Sequence, residues 1–183
     1  SADETPWERI PVDGAAHPHA FTRAGWAART ATVHAARGAR PRVTGGIAGL
    51  EVIKTTRSGF SGFLKDAYTT LPETEDRIFA TRIDASWEYA DAAVVPADAA
   101  ERGRDVVLRV FAEHDSKSVQ QTIYVMGRAL LDALPEIVSV SLTMPNQHRI
   151  LANLAPFGLA NANEIFVATR EPYGLIKGTV ARE

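Results

Sequence analysis

The sequence contains no cysteine. That absence removes disulfides, thiolate nucleophiles and the common cysteine-based zinc sites together. It also lacks any run near the ~20 apolar residues that a membrane helix requires. No basic stretch is interleaved with aromatics in the manner of a nucleic-acid surface. Neither sign of charge dominates: 20 Lys and Arg against 22 Asp and Glu leave a net charge of −2, too little to draw the chain to nucleic acid or an anionic membrane. Gly-rich phosphate loops, GxSxG elbows and HExxH helices are missing as well. The opening SADETPWERI is acidic and polar, unlike a signal or transit peptide, and the final GTVARE is neither a peroxisomal SKL-type tripeptide nor a lipidation motif. The cytoplasm is the expected compartment, with no membrane and no nucleic acid as partner.

What is present is an ordinary globular composition, 45% hydrophobic and 23% charged over 183 residues, enough for one good core or two small ones. Residues 77–89, RIFATRIDASWEY, alternate cleanly: Phe79, Thr81, Ile83, Ala85, Trp87 and Tyr89 against Arg82, Asp84, Ser86 and Glu88. A period of two predicts a strand with one buried face. Residues 137–144, IVSVSLTM, repeat the pattern, with Val138, Val140, Leu142 and Met144 expected inward. Weaker strand signals lie at 24–36, 47–56, 164–170 and 176–182.

Between the two strong strands lie two helical stripes, Val106, Val107, Val110 and Phe111 within 99–113, and Val119, Ile123, Met126, Leu130 and Leu134 within 118–134. Ser118 is placed to cap the second helix and Pro135 to stop it. From residue 47 onward the order is strand, strand, helix, helix, strand, strand, which predicts an α+β layer: an antiparallel sheet with two helices on one face. The first 45 residues predict a strand near 6–12 and a long strand at 20–36, without helices of their own. Two strands alone cannot bury two faces, so they read as half of a unit.

Several residues are chemically suggestive. In LPETEDRIFAT, 71–81, Arg77 follows Glu73, Glu75 and Asp76 at the mouth of a strand. A guanidinium fork suits a planar oxyanion, although on the residues alone an ion pair with Glu73 or Asp76 is the commoner arrangement. Phe60 stands between glycines in SGFSGF, either a stacking platform for a planar ring or, with Phe63, an anchor on the core. Val119 and Gln120 fall in the first turn of a helix, where free N–H groups favour an anion. Asn146 and His148 in MPNQH lie two apart at a strand end, so they point the same way, and a histidine there can move protons near neutral pH. His17 and His19 in HPHAF have the spacing of a metal pair, but no third ligand stands beside them and no metal is expected.

Taken together, SGFSGFLKDAYTTLPETEDRIFATRIDASWEY, SVQQTIYVMG, SLTMPNQH, PYGLIKGTV and the early WERI and DGAAHPHAF resemble motifs of the urate oxidase (uricase) family, in the right order and over essentially the whole chain. The resemblance implies the T-fold (tunnelling fold), in which tandem ββααββ units assemble into a barrel-like homotetramer. Residues 1–45 would then be the last two strands of a first, incomplete unit, and 46–183 a complete second unit. It implies oxidation of urate by dioxygen, with no cofactor, to 5-hydroxyisourate and hydrogen peroxide. By the same resemblance Phe60 stacks on urate, Arg77 and Gln120 clamp it from two sides, the Val119 N–H adds a hydrogen bond, and Leu71 lines the pocket. Asn146 holds dioxygen or water above the ring, and His148 belongs to a proton relay. The family's relay also uses a lysine and a threonine from an N-terminal half that this sequence does not contain. The resemblance therefore implies a companion chain supplying that half, in a homo-oligomer whose sites form between subunits. Two other readings stand beside it: a purine-binding or assembly module without turnover, and a pterin- or folate-type enzyme of the same fold, which would want zinc.

Overall fold

The computed structural model describes residues 5–25, 27–169, 171 and 173–183. Its centre is the pair of strands that alternate most strongly, β5 (Phe79–Tyr89) and β6 (Ile137–Asn146), paired antiparallel. Outside β6 lies β9 (Gly174–Ala181), and on the other side of β5 lies the 13-residue β4 (Arg42–Lys54). The inward residues of β5 are buried as the period of two requires. On β6 the register slips between Glu88 and Tyr89 of its partner, so Tyr89 faces Ile137. The extra residue of that bulge is Val138, which is half-exposed, and Ile137 takes the inward place expected of it.

The two helical stripes form α1 (Ala99–Glu113) and α2 (Val119–Ala133). Val106, Val107 and Phe111 of α1 and Val119, Ile123, Met126 and Leu130 of α2 are buried against Phe79, Ile83, Trp87, Val140 and Leu142 of the sheet. Each such side chain contributes ~1.5–3 kcal/mol on burial. Ser118 caps α2, its hydroxyl accepting from the Gln121 N–H at 3.1 Å. Buried Leu134 closes that helix ahead of Pro135. Both helices cover one face of the sheet, and no described helix is long and apolar enough to cross a membrane.

The N-terminal part departs from the expected pair of strands. Strands β1 (Trp7–Val12), β2 (Ala15–Arg23) and β3 (Ala28–His34) join the same seven-stranded sheet. The single long strand expected at 20–36 is broken by a turn at Ala24 and Gly25, where Gly25 has φ +74°. The two pieces share one edge of β4: β3 pairs with its first half (His34 to Arg42, Ala28 to Ala48) and β2 with its end (Ala20 to Lys54). Between those halves β4 bulges at Gly49, whose φ of +78° excludes most side chains and whose N–H donates to the Asp84 carboxylate at 2.7 Å. Beyond β6 a small hairpin, β7 (Arg149–Leu151) with β8 (Phe166–Ala168), stands apart from the main sheet.

Candidate active site

Alternation along the sheet decides which side chains can meet. Leu50, Val52 and Lys54 on β4 are buried, Phe79 packs on Phe111 of α1, and Met144 on β6 is buried. Counting by twos places Asn146, the last residue of β6, on that helix-side face; Arg77 and His148 lie two residues beyond the ends of β5 and β6. The intervening Thr143, Pro145, Gln147 and Arg149 line a groove of ≈ 820 Å³ on the opposite face, with Arg23, Glu51, Arg82 and Asp84. The bridge from Ala80 to Gln147, with its N–H···O of 3.0 Å, fastens the MPNQH segment beside the start of β5. Antiparallel pairing thus gathers the end of β4, the start of β5 and the end of β6 at one rim of the sheet.

The loop carrying Phe60 is fixed at the same rim by backbone bonds on two sides. Phe60 exchanges hydrogen bonds with Thr74 at 2.7 and 3.1 Å, and the Arg77 N–H donates to the Ser58 carbonyl at 2.8 Å. On the other side Gly59 N–H reaches the Ser116 carbonyl at 2.7 Å, Ser61 N–H the Lys117 carbonyl at 3.1 Å, and Ser116 N–H the Arg57 carbonyl at 3.0 Å. Gly59 is required by space: a Cβ there would stand 2.6 Å from the Thr74 carbonyl. The α1–α2 turn is itself rigid. The hydroxyls of buried Ser116 and Thr122 lie 2.8 Å apart, and the Ser118 carbonyl stands 3.0–3.1 Å from both.

Within this frame Arg77 is a half-buried cation. Its guanidinium carbon lies 5.7 Å from the Phe60 ring centre, its Nε is buried without a hydrogen-bond partner, and burial pulls its pKa below the usual arginine value. Two of the three acids that precede it, Glu73 and Asp76, are engaged elsewhere. Glu73 pairs with Lys65 at 3.2 Å and accepts from the Gly62 N–H, and that N–H with Lys65 holds its pKa low. Asp76 accepts from the Thr56 hydroxyl at 3.0 Å. Arg77 therefore has no ion-pair partner among the described residues, and the expected pairing with Glu73 or Asp76 is corrected. A half-buried guanidinium without a counter-ion carries a desolvation cost that no described carboxylate offsets. Phe60 and Phe63 stack on each other at 4.4 Å, and neither joins the core cluster.

The remaining expected residues are less tightly gathered. Val119 is buried at the first position of α2, close in sequence to the Ser61–Lys117 bond. Gln120, exposed, lines a shallow groove of ≈ 180 Å³ with Ile123, Tyr124 and the stretch 176–180 of β9. Asn146 and His148 are half-buried at the end of β6, and the His148 carbonyl accepts from the Thr169 N–H at 3.3 Å. Leu71 is 60% exposed on the long arm before Thr74.

The chain as a whole has counterparts among known proteins. The family model described as Uricase matches residues 43–177. The chain belongs to the uricase family. A uricase of Arthrobacter globiformis is 44% identical over 97% of this chain, and one of Oryctolagus cuniculus is 38% identical over 99% of it. This chain spans 57% and 62% of those two relatives' lengths. The crystal structure of the Arthrobacter globiformis uricase superimposes with a TM-score of 0.81 at 41% identity, covering 98% of this chain and 61% of that one. A urate oxidase from Bacillus sp. TB-90 superimposes at 0.70 with 26% identity, covering 98% and 63%. The uricase fold, an α+β T-fold, is therefore the fold of this chain.

Sequence reasoning missed three residues that build this rim: Lys54, Ser58 and Ser116. Lys54 had a visible signal, since it occupies an inward position of a strand whose neighbours Leu50 and Val52 are apolar. Ser58 and Ser116, both buried, carried none, because the backbone bridge that pairs them joins segments distant in sequence.

Proposed function

We propose that this chain carries one side of a urate-oxidising site, completed by the part of its relatives that it does not span. The single observation that carries the reading is Arg77: a half-buried guanidinium without an ion-pair partner among the described residues, 5.7 Å from an aromatic ring on a glycine-bounded loop. Urate is a planar monoanion at neutral pH. An unpaired cation beside a ring meets both its charge and its shape. Gln120 supplies an amide to the opposite edge, the Val119 N–H another donor, and Leu71 the apolar wall once the arm is packed against another subunit.

In the reaction, urate gives two electrons to dioxygen and takes up water, yielding 5-hydroxyisourate and hydrogen peroxide. The reading needs no cofactor, because deprotonated, electron-rich urate itself passes the electrons directly to dioxygen. The protein must favour the more deprotonated, electron-rich urate and move protons. His148 is placed to do the second, and Asn146, at the end of β6, to hold dioxygen or water. The rest of the relay belongs to the absent part, supplied by a companion chain in an oligomer of the family's kind. Residues 1–45 fit the end of a first T-fold unit and 46–183 a second, although β4 begins at Arg42, ahead of that boundary.

The binding half of this reading is tested with xanthine, a planar purine that cannot be oxidised in the same way. Saturable binding is expected, lost by about 10–100-fold in Arg77→Ala, the range for a hydrogen bond to a charged group. Equal binding by parent and variant contradicts the clamp. Binding without oxygen consumption in the completed assembly favours instead a purine-holding module.

A further inference from the structure

Lys54 is among the most buried side chains of the protein, 1% exposed, yet it ends in an amine. It sits on β4 between Ala20 of β2 and Phe79 of β5, pointing under α1, with Nζ 5.5 Å from the centre of the Phe111 ring. That amine donates a hydrogen bond to the backbone carbonyl of His114, the residue that ends α1. An amine in such a place is costly, and an apolar side chain would fill the space as well. Its presence calls for something that only its hydrogen bond supplies.

Immediately after His114 the chain enters the turn that holds the Phe60 loop. Two residues on, the Ser116 carbonyl receives the Gly59 N–H and the Ser116 N–H donates to the Arg57 carbonyl; the Lys117 carbonyl receives Ser61; five residues on, α2 starts at Val119. The end of β4 and the residues just beyond it therefore grip this turn twice, through the Lys54 side chain at His114 and through the Arg57 carbonyl at Ser116. We propose that Lys54 is a positioning residue for the site: by holding the His114 carbonyl it fixes the α1–α2 turn, and so sets both the Phe60 loop and the first turn of α2 against Arg77. This rests on the purine reading for its consequence and on the backbone geometry alone for its cause.

The test is Lys54→Met, which keeps length and shape but cannot donate. Two readouts are taken on the protein in its assembled form: amide hydrogen exchange and xanthine titration. Gly59, Ser61 and Ser116 amides are expected to exchange at least about tenfold faster, and xanthine to bind about tenfold more weakly, the scale of one lost hydrogen bond to a charged group. Amides in the β5–β6 centre should stay protected, which a merely destabilised fold would not allow. Unchanged protection at the three amides, or faster exchange there with unchanged xanthine binding, overturns the proposal. If the parent does not bind xanthine at all, the purine reading fails, and amide exchange alone then decides the role of Lys54. Should the variant not fold, the parent decides by nuclear magnetic resonance: a slowly exchanging Lys54 ammonium signal with a cross-peak to His114 is expected, and rapid exchange without that contact contradicts the proposal.

Discussion

Half-buried Arg77 and fully buried Lys54 are cations that the fold keeps against their desolvation cost, and they differ in what answers them. Lys54 has a carbonyl; the Arg77 side chain lacks any ion pair among the described residues. An unpaired cation held for a ligand predicts a trade of stability for function. Arg77→Ala should lose xanthine binding while its thermal midpoint stays level or rises, as scanning calorimetry would show. A clear fall in the midpoint would instead make Arg77 a structural residue. For Lys54 the sign of the pH dependence follows from its pKa, lowered to about 8 from 10.5 by burial first and then by Arg57, against the pull of Asp115. The unfolded chain binds more protons between those values, so the penalty is fully present below about pH 8 and fades by about pH 10.5. The whole change is on the order of 3 kcal/mol. Urea midpoints of the parent minus those of Lys54→Met should therefore rise with pH across that window. A flat difference means that the amine is not buried as described.

At the scale of elements, periodicity carried most of the fold. Both helices and the strands β5 and β6 have residues whose period is imposed by burial on a single face, and they lie within two residues of the expected ranges. The N-terminal strands escaped because their break depends on the Gly25 turn and on sharing one edge of β4, a tertiary fact with no periodic signature. Val138 escaped for a similar reason, since a bulge is set by the partner's register. From residue patterns alone, without the family resemblance, the site was legible only as separate candidates: Phe60 and Arg77 are 17 positions apart, and the bonds that bring their loop to Ser116 span the whole of β5 and α1. Two changes probe the elements that hold the site. Gly59→Ala forces its Cβ against the Thr74 carbonyl and should cost about 1–3 kcal/mol, with the Phe60 loop displaced and xanthine binding weakened. Ser118→Ala removes the α2 cap and should cost about 1 kcal/mol by urea unfolding. A Gly59→Ala protein that binds xanthine like the parent would detach that loop from the site.

At the scale of the whole molecule, exposed apolar side chains and a sheet edge are the features that an assembly would cover. The arm between Phe60 and Thr74 holds Leu64 at 99% and Tyr68 at 90% exposure, and among the described residues no strand pairs with the outer edge of β9. Light scattering should accordingly show an oligomer; a monodisperse monomer contradicts the assembly proposed above. The relatives this chain resembles are longer by the portion it does not span, 43% of the Arthrobacter globiformis uricase by difference from the 57% covered. The most direct measurement supplies that portion. Urate in air is mixed with this chain alone and with this chain co-assembled with the N-terminal part of that relative, while urate absorbance, oxygen uptake and peroxide are followed together. A half-site in this chain predicts no turnover by the chain alone and, on co-assembly, loss of urate with one dioxygen consumed and one peroxide released per urate. Full turnover by the chain alone, or none by a well-formed co-assembly that binds xanthine, would contradict it.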